Sequence, residues 1–191
     1  QRKGYPAHRF HHARLGVGLQ GQGVSELAWQ ASVAYARERR QGRSLSTARP
    51  SGAAADPIIV HPDVRRMLLT QKALVEGGRV FCFLTGREID SAHLNTDEAA
   101  RKRSSDLVAF LTPIVKAFLT DASMEVTSLA VQIHGGHGFI RETGVEQLLR
   151  DARITPIYEG TNGIQALALL GRKVFGTGGR SQQAMAPRIR E

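Results

Sequence analysis

Cysteine occurs once in this chain, at position 82, and aromatic residues make up only 6% of its 191 positions. A single cysteine excludes an internal disulfide framework. Cys82 sits in the apolar run "VFCFL", where it reads as a buried packing thiol in a reducing compartment. The few aromatics are not interleaved with the arginines, as a base-stacking surface requires, so nucleic acid is not the expected partner. No uninterrupted apolar run approaches the roughly 20 residues of a membrane-spanning helix, and no membrane partner is expected. The N-terminal "QRKGYPAHRFHH" has neither the apolar core of a signal peptide nor an initiator methionine. The chain is therefore expected to be an internal or C-terminal piece of a longer polypeptide. Strand-type alternation is missing as well.

What is present is positive charge and helical periodicity. Lys and Arg total 26 against 17 Asp and Glu, a formal charge of +9. That excess points to phosphate-bearing partners, and without a stacking surface it favours small nucleotide-like molecules. Residues 13–40 carry Leu15, Leu19, Leu27, Trp29, Val33 and Ala36 at helical spacing. A small-residue and proline loop follows over 44–57, and Pro62 then opens a second helix to about residue 90. Its apolar face runs from Val64, Met67 and Leu68 to Cys82 and Ile89. After a polar connection, "DSAHLNTDEAA", a third helix over 98–120 is expected to bend at Pro113. A fourth covers 121–133. A shorter helix starts near Thr161 with Ile164, Leu167 and Leu170 as its stripe, and residues 176–191 read as a basic tail. The expected fold is all-α, an up-and-down four-helix bundle over residues 9–175.

Two motifs are decoys. Gly16, Gly18 and Gly21 match GxGxxG, but no strand precedes them and no βαβ unit surrounds them. They read as glycines that let a neighbouring helix approach closely. His134 and His137 stand three apart without a third ligand at metal spacing, so no metal is expected.

The segment "IYEGTNGIQ" holds the candidate chemistry. Thr161 suits a helix N-cap, and the helix start beyond it offers free N–H groups and partial positive charge. Glu159 lies just before, after Pro156, Ile157 and Tyr158. Apolar neighbours desolvate a carboxylate and raise its pKa, while a helix start pulls the other way. On the residues alone, Glu159 is either a structural acid ahead of the cap or a general base near neutrality.

The run "VQIHGGHGFIRETGVEQLLRDARITPIYEGTNGIQAL" resembles the C-terminal part of the acyl-CoA dehydrogenases, flavoenzymes that oxidise acyl-CoA thioesters to enoyl-CoA. "ARLGVGLQGQGVSELAWQASVAYARERRQGRSL" and "HPDVRRMLLTQKALVEGGR" resemble the first two helices of that family's C-terminal bundle, and the likeness spans about 9–173. It looks most like the branch containing 3-methylmercaptopropionyl-CoA dehydrogenases. The resemblance implies FAD as cofactor and Glu159 as the base that takes the α-proton while the β-hydride passes to the flavin. It implies substrate contacts at Arg14 and Gly160. FAD contacts follow at Arg39, His61, Thr161, Asn162 and Gly163, and along Gln132, Ile133, His134, Gly135 and Gly136, partly across a dimer interface. It further implies an acyl-CoA substrate, an electron-transfer flavoprotein as partner, and a homodimer or homotetramer. The implied location is bacterial cytoplasm, or the mitochondrial matrix in a eukaryote. The family's N-terminal helical and middle β domains are not in this sequence. The sequence also departs from the family pattern where Gln41 is followed directly by Gly42, and where His11 replaces an acid. A DNA-binding or non-catalytic homologue is the alternative.

Overall fold

The computed structural model describes residues 7–44, 54–176 and 178, without the side chains of 7–11 and 172. Most of the expected loop at 44–57, the side chain of His11 and nearly all of the basic tail lie outside the described residues. Three long helices dominate: α1 (Ala7–Glu38), α2 (Pro62–Leu94) and α3 (Glu98–His134). Among the described residues there is no strand, only an isolated antiparallel bridge between Arg40 and Pro57. Pro62 stands at the first turn of α2 as expected. Asp97 caps α3, its carboxylate accepting from the N–H groups of Ala99 and Ala100 at 3.0 and 3.2 Å.

The order of contacts fixes the topology. Ala36 shares a cluster with Met67 and Leu68, Ala28 with Val75, and Leu15 with Cys82, so α1 and α2 run antiparallel. Gly18 faces Val115 and Leu119, whereas Ala28 meets Val126 and Ala130, so α3 returns parallel to α1. Beyond α3 the chain descends again in pieces. These are α4 (Gly136–Phe139), α5 (Val145–Ile154) and α6 (Asn162–Leu167), which continues into a π-wound segment, Ala168–Phe175. Val145 lies against Val126 and Ala130, and Asn162 against Ala117 and Thr120, so this broken arm is the fourth member of the up-and-down bundle.

That assignment corrects the sequence reading. Residues 98–120 and 121–133 are one helix, and Pro113 sits buried within it without ending it. The polar connection shrinks too, because α2 continues to Leu94 and α3 starts at Glu98. Over one 18-residue window α3 is apolar enough for a membrane span, yet 61% of that window is buried in the bundle. Here that apolarity builds a core. The stripe expected on the last short helix also faces outward: Ile164 is 51% exposed and Leu167 69%, and what the helix buries is Gln165.

Two glycines of the GxGxxG run behave as expected. A Cβ on Gly18 would stand 3.1 Å from Leu119 Cδ1, and one on Gly21 would stand 3.0 Å from the Leu119 carbonyl oxygen. They mark the α1–α3 crossing. A Cβ on Gly16 would meet nothing within 4 Å among the described residues, so Gly16 plays no part in it. Cys82 is buried, and burial pushes its thiol pKa up, as suits a packing residue.

Candidate active site

The site residues read from the sequence fall into two groups at different heights along α3. The upper group surrounds the end of α1. Its last residues pair with the segment ahead of α2: Gln41 N–H donates to Asp56 O at 3.0 Å, Asp56 N–H to Gly42 O at 3.0 Å, and Ile58 N–H to Arg39 O at 2.8 Å. The buried Asp56 carboxylate also accepts from Ser44 N–H at 2.8 Å. Gly42 has φ +67°, a backbone state that favours glycine, and the His61 ring lies 3.6 Å from where its Cβ would stand. The Nε2–H of His61 donates to Gln41 O at 2.7 Å. The turn at Gln41–Gly42 thereby holds His61 on the cleft wall that Arg39 also lines.

The opposite wall is the C-terminal turn of α3. A cleft of about 490 Å³ is lined by Arg39, Gln41, Gly42, His61, Gln132, Ile133, His134, Gly135 and Gly136, together with Tyr35 and His137. Arg39 is exposed, and its guanidinium reaches Gln41 Oε1 only at 3.4 Å. Gly135 ends α3 at φ +59°, its N–H donating to Gln132 O at 3.1 Å and its carbonyl accepting from Gly138 N–H at 2.9 Å, and among the described residues no atom fills the space that a side chain would take there or at Gly136. His134 is buried, with Nδ1 2.8 Å from Ala130 O, and burial lowers its pKa. His137 instead faces the Tyr35 hydroxyl at 3.3 Å, so the two histidines do not converge on a common point. Among the described residues no group of three or more His, Cys, Asp and Glu could hold a metal ion.

The lower group lies beside the middle of α3. Glu159 has φ +54°, the one non-glycine residue in the left-handed region among the described residues, and Gly160 follows at φ +89°. For a residue with a Cβ this conformation costs about 1–2 kcal/mol. The buried amide of Gln165 holds the turn, its Nε2 donating to Glu159 O at 3.2 Å and Gly160 O at 3.0 Å. Thr161 is the N-cap of α6, accepting from Ile164 N–H at 3.4 Å. Gly163, by contrast, is exposed. Asn162 N–H donates to Pro156 O at 3.1 Å. The Asn162 side chain reaches α3: Nδ2 donates to Asp121 Oδ1 at 2.7 Å and Thr120 Oγ1 at 2.9 Å, while Oδ1 accepts from Lys116 Nζ at 2.8 Å. The half-buried Arg14 is close enough for its charge to act on Lys116, which puts it on this side of the bundle.

Glu159 itself is exposed, so the residues beside it in the sequence do not enclose its carboxylate. Sequence reasoning also missed Tyr35, Asp56, Lys116, Asp121 and Gln165. Gln165 lies inside the "IYEGTNGIQ" segment already singled out, which is the signal that could have found it, whereas Asp56 lies in the 44–57 loop ahead of Pro57. Lys116 gives no such signal, because its partner is 46 residues away.

Comparison with known proteins gives one answer at each level. The model of the acyl-CoA dehydrogenase C-terminal domain matches residues 4–174. The 3-methylmercaptopropionyl-CoA dehydrogenase of Ruegeria pomeroyi is 52% identical over 179 residues, covering 93% of this chain and 29% of that protein. The solved butyryl-CoA dehydrogenase of Megasphaera elsdenii superposes with a TM-score of 0.63 at 27% identity, over 85% of this chain and 36% of the other. A chain in the structure of the electron transferring flavoprotein of Acidaminococcus fermentans gives 0.67 at 26% identity, over 87% and 37%. This chain thus spans less than a third of the curated relative and little more than a third of the solved ones. With the bundle, the Glu159 turn and these matches together, the chain belongs to the acyl-CoA dehydrogenase family, of which it is the C-terminal helical domain.

Proposed function

We propose that this domain serves an FAD-dependent acyl-CoA dehydrogenase in which Glu159 is the catalytic base. The substrate proposed is 3-methylmercaptopropionyl-CoA, on the strength of the Ruegeria pomeroyi relative's name. The observation that carries the reading is the left-handed turn at Glu159, which projects an exposed carboxylate from a backbone fixed by Gln165 and Asn162. A residue kept in such a state needs surroundings that over-determine it, and these cluster at functional sites. The relatives' names favour an enzyme over a DNA-binding homologue.

The residues of the upper cleft fit a dinucleotide. Arg39 offers an exposed planar guanidinium whose contact with Gln41 is long, and Gly135 and Gly136 put no side chain on the cleft wall, so a phosphate can approach the main chain closely. FAD, when bound, supplies the two-electron acceptor that oxidation of an acyl-CoA to a 2,3-enoyl-CoA requires. The chain's own contribution is proton chemistry and orientation. Glu159 takes the proton from the carbon next to the thioester carbonyl, and Gly160 leaves room for the acyl group. Arg14 lends positive charge on the substrate side, while the exposed Thr161 and Gly163 face the cofactor from a helix start that Asn162 ties to α3. Lys116 and Gln132 stand about 24 Å apart along α3 at about 1.5 Å per residue, which supports a cofactor site shared between two copies of the chain. An electron-transfer flavoprotein would be the partner that accepts electrons from the reduced cofactor.

The test is direct. Purified full-length protein should be yellow with bound FAD, and anaerobic addition of 3-methylmercaptopropionyl-CoA should bleach it. Colourless protein that fails to take up FAD, or a flavin that no acyl-CoA bleaches, would remove the enzymatic reading.

A further inference from the structure

The Glu159 turn is held from two directions, and one of them comes from far away in sequence. Gln165 grips the carbonyls of Glu159 and Gly160 locally. The other hold passes through Asn162 into α3 and ends at Lys116. This lysine is 0% exposed, and its ammonium meets Asn162 Oδ1 at 2.8 Å. A buried ammonium loses its hydration, and one neutral amide restores only part of that loss. Burial therefore lowers the Lys116 pKa, with the charge of Asp121 opposing and that of Arg14 reinforcing the shift. An apolar side chain of similar length would fill the space without this penalty, so the ammonium contributes orientation rather than packing.

What it orients is the first residue of α6. The Asn162 side chain also bonds Thr120, Asp121 and the carbonyl of Ala117 at 3.3 Å. With its side chain pinned to α3 and its N–H on Pro156 O, Asn162 fixes the far end of the five-residue stretch whose middle is Glu159. We propose that Lys116 is a positioning residue for Glu159: by clamping Asn162 to α3 it holds the left-handed Glu159–Gly160 turn in one geometry. This deepens the reading of Glu159 as the base and rests on it. A carboxylate displaced by about 1 Å loses on the order of 10²-fold in rate, so the clamp matters to turnover without touching substrate.

The experiment uses the full-length, FAD-loaded protein with Lys116→Met, Asn162→Ala, their double variant and Glu159→Gln. One readout is the rate of flavin bleaching per bound flavin at saturating acyl-CoA; the other is amide hydrogen exchange. Lys116→Met should bleach at least tenfold more slowly with FAD content unchanged. Exchange should accelerate in residues 156–165 and not in α2, and the double variant should be no slower than the slower single one. A rate within twofold of wild type, or exchange accelerated equally throughout α2, overturns the proposal and leaves Lys116 a packing residue. Should Lys116→Met not fold, Lys116→Gln is neutral, retains a polar end and is read in the same way. Failure of the base assignment is visible separately, as wild-type bleaching by Glu159→Gln. In that case local exchange alone decides whether Lys116 holds the turn.

Discussion

The Tyr35 ring lies against the His134 imidazole, their centroids 4.3 Å apart and their planes 25° from parallel, joining the end of α1 to the last turn of α3. His134 gives its Nδ1–H to Ala130 O, which sets the tautomer and leaves Nε2 without a proton in the neutral ring. Burial and the nearby His137 both lower its pKa in the fold. The unfolded chain therefore takes up the proton first as pH falls. The stability contributed by neutral His134 is complete above the ordinary histidine value of about 6.5 and is lost as pH drops from there toward the folded pKa. Denaturation measured between neutral and mildly acidic pH should show a steeper loss for the wild-type protein than for His134→Gln. Parallel curves would mean that the imidazole is not held neutral.

Close approach of α1 and α3 predicts opposite outcomes for two glycines of one motif. Gly21→Ala forces a methyl to 3.0 Å from the Leu119 carbonyl oxygen, backbone that cannot swing away. Overpacking of this kind typically costs about 1–3 kcal/mol. Gly16→Ala meets nothing within 4 Å among the described residues and gains helix propensity of up to about 1 kcal/mol. Thermal melts should move down for the first substitution and up for the second. Equal shifts would mean that helix propensity, not packing, governs both sites.

The same pair shows what could be read in advance. Periodicity revealed α1 and α2, because a helix face depends on residues three or four apart, and the missing strand ahead of GxGxxG revealed that motif as a decoy. It failed at Thr120–Asp121, where a cluster of polar residues looks like a break. Thr112, Thr120, Ser123 and Thr127 are buried in α3 by returning their hydroxyls to carbonyls three or four residues back, such as Thr127 Oγ1 to Ser123 O at 2.6 Å. That bonding satisfies them inside a helix, and polarity alone does not reveal it. The fourth arm was misplaced for a related reason: its short pieces carry Gly135, Gly144 and Gly160 at positive φ, which masks any long period. The Glu159 segment was legible as a motif, whereas its anchor in α3 depends on contacts more than forty residues apart.

Gln165 offers a local test of the turn. Gln165→Leu removes both hydrogen bonds to the Glu159 and Gly160 carbonyls while keeping a side chain of comparable size. Among the described residues Gln165 Oε1 is buried without a hydrogen-bond partner, so part of the loss is offset by removing an unsatisfied acceptor. The net cost in stability should be about 1 kcal/mol. Turnover should fall further than stability implies, because the turn at φ +54° relaxes. Chemical denaturation and bleaching rates on one preparation separate the two effects. A stability loss with an unchanged rate would show that the turn does not need this amide.

Arg39 tests the cleft. Its guanidinium lines the same cleft as Gly135 and Gly136, which put no side chain in the way, an arrangement that suits a pyrophosphate. Arg39→Ala in the full-length protein should release FAD on gel filtration. Arg39→Lys should retain it only partly, since an ammonium cannot reproduce a bidentate contact. Full flavin retention by Arg39→Ala would place the pyrophosphate elsewhere.

Glu159→Gln is the sharpest of these substitutions, because amide and carboxylate have nearly the same shape and differ in proton affinity. The left-handed turn, the Gln165 bonds to the main chain and the Asn162 clamp all act on backbone or on other side chains, so each survives the change. FAD retention and the melting temperature should therefore match the wild-type protein. Loss of a general base typically removes about 10²–10⁴-fold in rate, and anaerobic bleaching by acyl-CoA should slow by at least that range. A carboxylate that merely served the start of α6 predicts the reverse. Stability would then drop by up to about 1 kcal/mol, from the lost interaction with the helix start, and bleaching would be nearly intact. Because the two roles move different observables, one stopped-flow trace and one melt on the same variant decide between them.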